Sequence, residues 1–236
     1  MKKLNLTLMT ALALITTVTH ADPSQEIYGK TYGEWSEMWL RWAYAGPKGA
    51  NSIEDETGDF CAINQPRGKV WFLAGSFNKK TGVARKCSIP SGRALFYPLI
   101  ETGWIDCPPP SEDSKQSEDY IRQVSASLID GASMLTSTLD KVPISSLPFQ
   151  IQTVRVQSPI FTSTLPEHNL FNGSCGPDTD STMPAGKTGR NVVDGYWVML
   201  PPLSPGVHVL TLHGANPGLL PEPFENGVTY TLTVKR

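Results

Sequence analysis

The segment from Thr31 to Pro47 places its largest apolar side chains at the spacing of one helix face. They recur at i, i+3, i+4 and i+7, which predicts an amphipathic helix with a single apolar stripe: Trp35, Met38, Trp39 and Trp42. Thr31 and Glu34 have the spacing of a capping box at the start of this helix. Gly46-Pro47 is a sequence that ends a helix.

The three tryptophans of this stripe allow two interpretations. Each indole buries about 200 Å² when packed, so three exposed rings would match or exceed the largest apolar patch of an ordinary monomer. We therefore expect the stripe to be buried against a core. The alternative is that the rings stay open and stack on a ligand such as a sugar.

From residue 69 onward the pattern changes to short runs rich in β-branched and aromatic residues, separated by Gly, Asn and Pro. Such runs predict strands. They are Lys69–Gly75, Val83–Ile89, Arg93–Ile100, Val124–Ile129, Phe149–Gln157, Pro159–Leu165, Tyr196–Leu200, Val207–His213 and Val228–Lys235.

Two features of this pattern concern local connections. The run Val124–Ile129 could also extend a short helix expected after the polar segment 108–120. Its alternation and the following Asp130-Gly131, a strong hairpin signal, favour a strand. The segment from Asn78 to Gly82 is interpreted as a hairpin loop between the first two strands.

Many short strands with turn signals between them predict a mainly β protein, an antiparallel β-sandwich or jelly roll. The amphipathic, Trp-rich N-terminal helix is expected to pack on its edge or open face. With 20 Gly and 20 Pro in 236 residues, the composition favours turns over long helices. We predict a single domain over residues 22–236.

The first residues of the chain indicate the cellular location of the protein. Two lysines, an apolar run and the small residues of Thr19-His20-Ala21 predict a secretory signal peptide over residues 1–21. The apolar run is shorter than the ~20 residues that span a bilayer, so no membrane insertion is expected. The prediction is an exported protein, either periplasmic or extracellular.

The charge balance limits the class of partner. Removing Lys2 and Lys3 from 20 basic and 22 acidic residues leaves a net charge near −4. Nucleic acids bind basic surfaces, so nucleic acid is not an expected partner. The oligomeric state stays open.

Four cysteines remain after the predicted cleavage: Cys61, Cys87, Cys107 and Cys175. An even number in an exported chain predicts disulfides, and the lack of close C-x-x-C pairs disfavours a zinc site. Four cysteines allow three pairings. We favour Cys61–Cys87 with Cys107–Cys175.

Trp104 is the best single candidate for binding a ligand. It follows a strand in ETGWIDCPPP, between Glu101 and Asp106, where one ring and two carboxylates could face a ligand together. The Gly/Asp/Thr/Pro-rich segment 172–193 and nearby Asn169 are expected at the same site, because long loops are often functional. The alternative is that Trp104 covers a disulfide.

Catalytic chemistry has weaker candidates. Glu101 and Asp106 could act as a carboxylate pair flanking a cleft, with His168 and His208 as further acid/base groups. The chain contains neither G-x-S-x-G nor H-E-x-x-H, the motifs of a serine nucleophile and of a zinc protease.

Metal binding is also weakly indicated. Two histidines, His208 and His213, are five residues apart on a strand, so they face opposite sides and cannot form a ligand pair. Calcium fits a little better, but its candidates lack the EF-hand spacing: Asp55, Asp59, Asp178 and Asp180. A solvated acidic loop is the default interpretation, and no cofactor is expected.

The chain resembles a family of secreted bacterial proteins in several segments: EWSEMWLRWA, CAINQPRGKVWFLAG, CSIPSGRALFYPLI, VRVQSPIF and DGYWVMLPPLSPGVHVLTLHG. The resemblance covers most of the chain after residue 21. It implies an exported single domain of largely β structure. The family has no established activity, so the resemblance implies no catalytic residues.

These features favour an exported binding protein that recognises carbohydrate or a cell-surface or host component. One alternative is a secreted hydrolase acting on glycans or esters. Another is an envelope-assembly or structural factor whose partner is a surface protein.

Overall fold

The computed structural model of the chain describes residues 22–76, 81–106, 116–147, 153–171, 183–218 and 223–236. Two α-helices lie in these residues, α1 (Tyr32–Tyr44) and α2 (Glu118–Ile129). The strands are β1 (Val70–Phe72), β2 (Val83–Pro90), β3 (Ala94–Ile105), β4 (Ser133–Leu139), β5 (Val142–Pro143), β6 (Val154–Gln157), β7 (Thr164–Leu165), β8 (Gly186–Lys187), β9 (Asn191–Leu200), β10 (Gly206–Asn216) and β11 (Phe224–Lys235).

The strands form two main sheets. The four-stranded sheet has the order β1-β3-β9-β6 and the five-stranded sheet the order β2-β11-β10-β4-β5, while β7 and β8 pair separately. The predicted mainly β fold with an N-terminal helix is confirmed. The sheets are mixed rather than purely antiparallel, because β1 pairs with β3 and β2 with β11 in parallel. This order does not identify a jelly roll.

The predicted hairpin between the first two strands is wrong, because β1 and β2 belong to different sheets. Their burial explains the separation. All of β1 is buried, as in a strand covered on both faces, whereas β2 alternates between buried and exposed positions. The chain therefore leaves the first sheet after β1 and returns to it at β3, which a parallel pair requires.

Helix α1 begins and packs as its sequence predicts. The Thr31 hydroxyl accepts from the Glu34 amide, and the Glu34 carboxylate accepts from the Thr31 amide at 2.8 Å, which completes the capping box. Trp35, Trp39 and Trp42 are 7%, 1% and 7% exposed. The prediction that the tryptophan stripe is buried is confirmed.

Each indole of the stripe also makes a polar contact. The indole N–H groups of Trp35, Trp39 and Trp42 donate at 2.7–2.9 Å to backbone carbonyls of three separate segments, those of Ile27, Leu73 and Ile63. A buried indole N–H needs such an acceptor to offset its loss of water. The stripe thus joins α1 to three segments: the lead-in, which is the segment before α1, the loop before β1 and the chain just after β1.

The four-stranded sheet is covered on both faces. One core joins α1 to the β3 and β9 side chains of one face, including Phe96 and Trp197, whose rings stack at 5.1 Å. A second core joins the opposite face to the five-stranded sheet through Tyr97, Val198 and Leu232, among others. The two large sheets therefore pack face to face, and α1 forms a third layer.

Val124–Ile129, predicted as a strand, is the second half of α2, so that prediction is wrong. The Ser117 hydroxyl caps the helix by accepting from the Tyr120 amide. Ile121, Ser125 and Ile129 are buried at i, i+4 and i+8, the spacing of a helix face. One of these positions is polar, and this hid the helical pattern in the sequence.

The remaining strand predictions differ mainly in their bounds. Only the end of the predicted Pro159–Leu165 run forms a strand, β7, while Phe161 makes an isolated antiparallel bridge with Asn191. Strand β4 was not predicted. Asp140 and Lys141, between β4 and β5, have φ of 50° and 69°, as a two-residue type I′ turn requires at both central positions. Residues 148–152, at the start of the predicted Phe149–Gln157 strand, lie outside the described residues.

Cys61 and Cys87 form a disulfide with a Cα–Cα distance of 6.0 Å, so the favoured pairing of these two residues is confirmed. The bond ties the loop before β1 to β2 instead of closing a hairpin. Cys107 and Cys175, the other predicted pair, lie outside the described residues, as does the predicted signal peptide over residues 1–21.

Replacing Trp39 by alanine tests the role of the stripe. We expect Trp39→Ala to lower the free energy of unfolding by about 3–5 kcal/mol, because it removes a fully packed ring and leaves a cavity. Urea denaturation measures the loss. Glu37→Ala on the same helix removes only a surface ion pair with Arg41 and should cost less than about 1 kcal/mol. Equal losses in both variants would contradict the account.

Candidate functional site

The end of β3 from residue 101 onward, together with Asp106 just after it, presents different groups on the two faces of the four-stranded sheet. A Cβ added at Gly103 would lie 3.3 Å from Leu40 Cδ2 and 3.6 Å from Tyr44 Oη, so this position faces α1. Alternation along the strand puts Glu101 on the same face. Trp104 faces the other way, towards α2.

Close packing of β9 fixes the surroundings of Glu101. Gly195 is its cross-strand partner, and a Cβ there would come within 2.7 Å of the Ile100 carbonyl oxygen and 2.8 Å of Glu101 Cβ. Only glycine permits this approach. Val193 and Trp197, two residues to either side of Gly195 on the same face, are fully buried. The Glu101 carboxyl therefore lies among apolar side chains.

Burial changes the chemistry of this carboxyl group. Desolvation raises the pKa of Glu101 from 4.5 to about 7, because the charged form is disfavoured away from water. The side chain is still partly exposed, so solvent reaches it. Among the described residues Glu101 has no hydrogen-bond or ion-pair partner. A perturbed, unpartnered carboxyl is a candidate functional group.

On the other face, four side chains form what we call the Trp104 cluster: Trp104, Asp106, Tyr120 and Arg190. The Trp104 indole donates to Asp106 Oδ1 at 2.6 Å, and the Arg190 amide donates to Asp106 Oδ2 at 3.0 Å. The Arg190 guanidinium lies 3.5 Å from the same oxygen. The carboxylate thus holds the indole and the arginine in place.

Tyr120, from α2, completes this cluster. Its ring meets Trp104 edge to face, with centroids 5.9 Å apart, and it is 46% exposed. Trp104 itself is partly buried. Two aromatic rings and a charged pair therefore lie together at the surface. The sequence had pointed to Trp104 and Asp106 as two members of such a group. Tyr120 was hidden by its polar sequence context, and Arg190 lies 84 residues from Asp106 in the chain.

The structure does not bring Glu101 and Asp106 into one cleft. Glu101 lies on β3 and Asp106 directly follows its last residue, so the alternation along the strand puts the two carboxylates on opposite sides of the sheet. Glu101 and Trp104 are separated in the same way. The described part of the chain therefore holds two distinct groups here instead of one ring flanked by two carboxylates.

Asn169 and His168 do not join either group. Asn169 is buried and its amide is used internally, donating to the Met183 carbonyl at 2.6 Å and accepting from the Phe171 amide at 3.0 Å. Asn169 was predicted to contact a ligand, but its side chain instead connects two parts of the chain, at residues 171 and 183. The His168 side chain is exposed, and its backbone carbonyl accepts from Lys48.

His208 lies between Asp140 and Ser204, which are residue types of a hydrolytic triad. Its Nδ1 is 2.8 Å from Asp140 Oδ2, while its Nε2 is 2.9 Å from the Ser204 carbonyl and 3.4 Å from Ser204 Oγ. Both ring nitrogens face acceptors at the shorter distances, so the protonated ring fits best. Partial burial lowers the pKa of His208, but the bonds to Asp140 and Ser204 outweigh it and raise the pKa.

The histidine therefore connects the β9–β10 loop to the β4–β5 turn as a cation. An imidazolium cannot accept the proton of a serine hydroxyl, so this geometry does not support His208 as a general base. The Asp140 carboxylate also accepts from the Val209 amide at 2.8 Å, which completes the connection.

The calcium candidates have other roles where they are described. Asp55 is buried, and its two carboxylate oxygens accept from the amides of Thr57, Gly58 and Phe60 at 2.8–2.9 Å. It organises its own loop. Asp59 is exposed, and the described residues contain no group of three metal-binding side chains. Asp178 and Asp180 lie outside the described residues.

Comparison of the chain with family models, curated proteins and solved structures gives no match. The resemblance noted in the sequence therefore stays a prediction. Among the described residues, no helix has both the length and the apolar character needed to cross a bilayer.

The charged state of His208 predicts a pH dependence of stability. A pKa raised above the unfolded value of 6.5 stabilises the fold fully below that pH, and this contribution is lost as pH rises through the folded pKa. We expect the wild type to exceed His208→Gln in stability by the largest margin near pH 5.5, and this margin to shrink as the pH rises above 6.5. Urea denaturation at each pH measures it. His168→Gln, which replaces an exposed histidine, is the control. A margin that grows with pH in the comparison with His208→Gln would contradict the assignment.

Glu101 predicts a second, separable effect on stability. Because its pKa is raised, ionisation destabilises the fold as pH rises from 4.5 to about 7, by at most about 3 kcal/mol. Glu101→Gln should therefore be more stable than the wild type at pH 8 and similar to it at pH 4. Thermal unfolding at the two pH values tests this. Glu26→Gln, at an exposed carboxyl, is the control, and an equal response in both variants would rule out a buried acid.

Proposed function

We propose that the protein is an exported carbohydrate-binding protein and that the Trp104 cluster is its contact surface. The observation that carries this proposal is the partly exposed Tyr120–Trp104 pair beside Asp106 and Arg190. Export is supported by the predicted signal peptide and by the Cys61–Cys87 disulfide, a bond that forms in oxidising compartments.

The chemistry of the cluster matches that of a sugar. A pyranose has apolar C–H faces and a rim of hydroxyl groups, and aromatic side chains offer a flat apolar surface to such faces. The Arg190 guanidinium and the Asp106 carboxylate are 30% and 13% exposed, and their charges strengthen hydrogen bonds to hydroxyl groups. Asp106 also holds the Trp104 ring in place through its hydrogen bond. Binding a sugar would therefore cost little side-chain entropy at this ring.

The geometry gives less support to a hydrolase. Glu101 and Asp106 do not flank a common cleft, and His208 is held in its protonated form by two acceptors. A protein partner at the cell surface is the other class of ligand that this aromatic surface would suit, since aromatic residues and arginine are enriched at interfaces.

Replacing Tyr120 tests the proposal with little risk to the fold, because its ring is 46% exposed. The wild-type protein should bind at least one polysaccharide or oligosaccharide on a glycan array, and Tyr120→Ala should weaken this binding about tenfold, the loss expected for one ring contact. Isothermal titration with the glycan identified on the array measures the affinity.

Tyr28→Ala is the matched control, because Tyr28 is also a tyrosine, is 40% exposed and lies in the lead-in to α1. Its affinity should equal that of the wild type. No glycan binding by the wild type, or equal affinity in Tyr120→Ala, would contradict the proposal. Trp104→Ala should abolish binding if the variant folds.

A further inference from the structure

Residues 133–143 form one end of the five-stranded sheet, and we call them the edge hairpin. They comprise β4, the turn at Asp140 and Lys141, and the two-residue strand β5. Within β4 only Ser137 is buried, and both residues of β5 are exposed. Met134 has a φ of 52°, which is uncommon for a residue other than glycine. A segment with so few buried side chains is expected to open locally before the rest of the protein unfolds.

Two histidines of β10 attach the edge hairpin, one near each of its ends. The Nδ1 atom of His208 lies 2.8 Å from the carboxylate of Asp140 in the turn. His213 lies on the opposite face of β10, and its Nδ1 is 3.0 Å from the backbone carbonyl of Met134, near the start of β4. Its Nε2 is 2.7 Å from the carboxylate of Glu225 on β11. His213 therefore joins the two strands that flank β10.

Each of these imidazole rings has a hydrogen-bond acceptor at both nitrogens. The second nitrogen of His208 is 2.9 Å from the Ser204 carbonyl, and His213 has the two acceptors just described. A protonated ring donates from both nitrogens, whereas a neutral ring keeps one N–H and turns a lone pair toward its second acceptor. Loss of the proton therefore replaces an attraction by a repulsion. Histidine is the side chain whose charge ordinarily changes between pH 5 and pH 8.

The charged groups that face the two rings are acidic. In the described part of the chain, His208 pairs with Asp140 and His213 with Glu225, and these carboxylates are 49% and 48% exposed. The cross-strand neighbours of the two histidines are uncharged: Leu232 and Gly227 on β11, and Thr136 on β4. Each histidine therefore loses one favourable ion pair when its ring becomes neutral.

The middle of β4 is held by contacts that do not change with pH in this range. The Ser137 hydroxyl donates to the Thr211 carbonyl at 2.7 Å, and the hydroxyl oxygens of Thr138 and Thr211 are 2.7 Å apart. These contacts and the backbone pairing with β10 remain when the histidines are neutral. Raising the pH should therefore change how often the edge hairpin opens, while the closed form still predominates.

We propose that the edge hairpin is a pH-sensitive segment, attached to β10 by protonated His208 and His213 and opening more often as these rings lose their protons. Opening frees the edge of β10, whose backbone groups pair with β4 in the closed form. A free strand edge is a template for pairing with another strand. The inference does not depend on the proposed glycan site, because the Trp104 cluster lies on the other large sheet.

Hydrogen exchange followed by mass spectrometry tests this on the full chain without the predicted signal peptide. Exchange rates are divided by the intrinsic rate at each pH, which leaves the protection due to structure. At pH 5.5 the edge hairpin should be at least about tenfold less protected than β9, because it opens locally. From pH 5.5 to pH 8 its protection should fall about fivefold, or about twofold for each histidine, the scale of a partly exposed ion pair.

Glutamine at both histidine positions is the matched variant, since it keeps a polar side chain that does not titrate. In His208→Gln/His213→Gln the protection of the edge hairpin should be the same at the two pH values. Glu225→Gln leaves both rings intact and should keep only the twofold response of His208, while His168→Gln should keep the full response.

Three results would overturn the proposal. One is protection of the edge hairpin equal to that of β9 at pH 5.5, which would mean that it opens only on global unfolding. The second is unchanged protection between the two pH values in the wild type. The third is the same fivefold fall in the double glutamine variant, which would assign the response to other groups.

Discussion

The fold depends on three buried indole N–H groups that each need a carbonyl acceptor. Trp35, Trp39 and Trp42 find theirs in the lead-in, after β1 and in the loop before β1, so one helix face sets the position of three segments. The apolar rings supply the area that is buried, and the N–H groups fix the register of that packing. The stripe therefore holds the protein together, and its rings are buried.

Covering the four-stranded sheet on both faces has a consequence for function. At the far end of β3, Glu101 and Trp104, together with Asp106 just after the strand, combine polar groups with access to solvent, and strand alternation divides them between the two faces. Glu101 lies on the α1 side with Tyr44, and Trp104 lies on the α2 side with Tyr120. A single strand thus places a buried carboxyl on one face and an aromatic pair on the other, both at the same end of the sheet.

Features encoded locally could be predicted from the sequence, and most of those that depend on distant parts of the chain could not; the Cys61–Cys87 disulfide is an exception. The capping box and the stripe of α1 lie within one segment, so their pattern was sufficient. In α2, buried Ser125 broke the apolar spacing and made a helix resemble a strand. The parallel pairs join distant residues. The segment 172–193 was expected beside Trp104, but its sequence does not show that Arg190 is the residue that contacts Asp106. The raised pKa of Glu101 depends on β9 packing against it, which no local motif encodes.

Hydrogen exchange followed by NMR tests most directly whether the indole contacts hold the fold together. If they do, the amides of residues 39–43 in α1 should exchange only through global unfolding, with the same opening free energy as the amides of β9. Local opening of α1 at a much lower free energy, while β9 stays protected, would contradict this account.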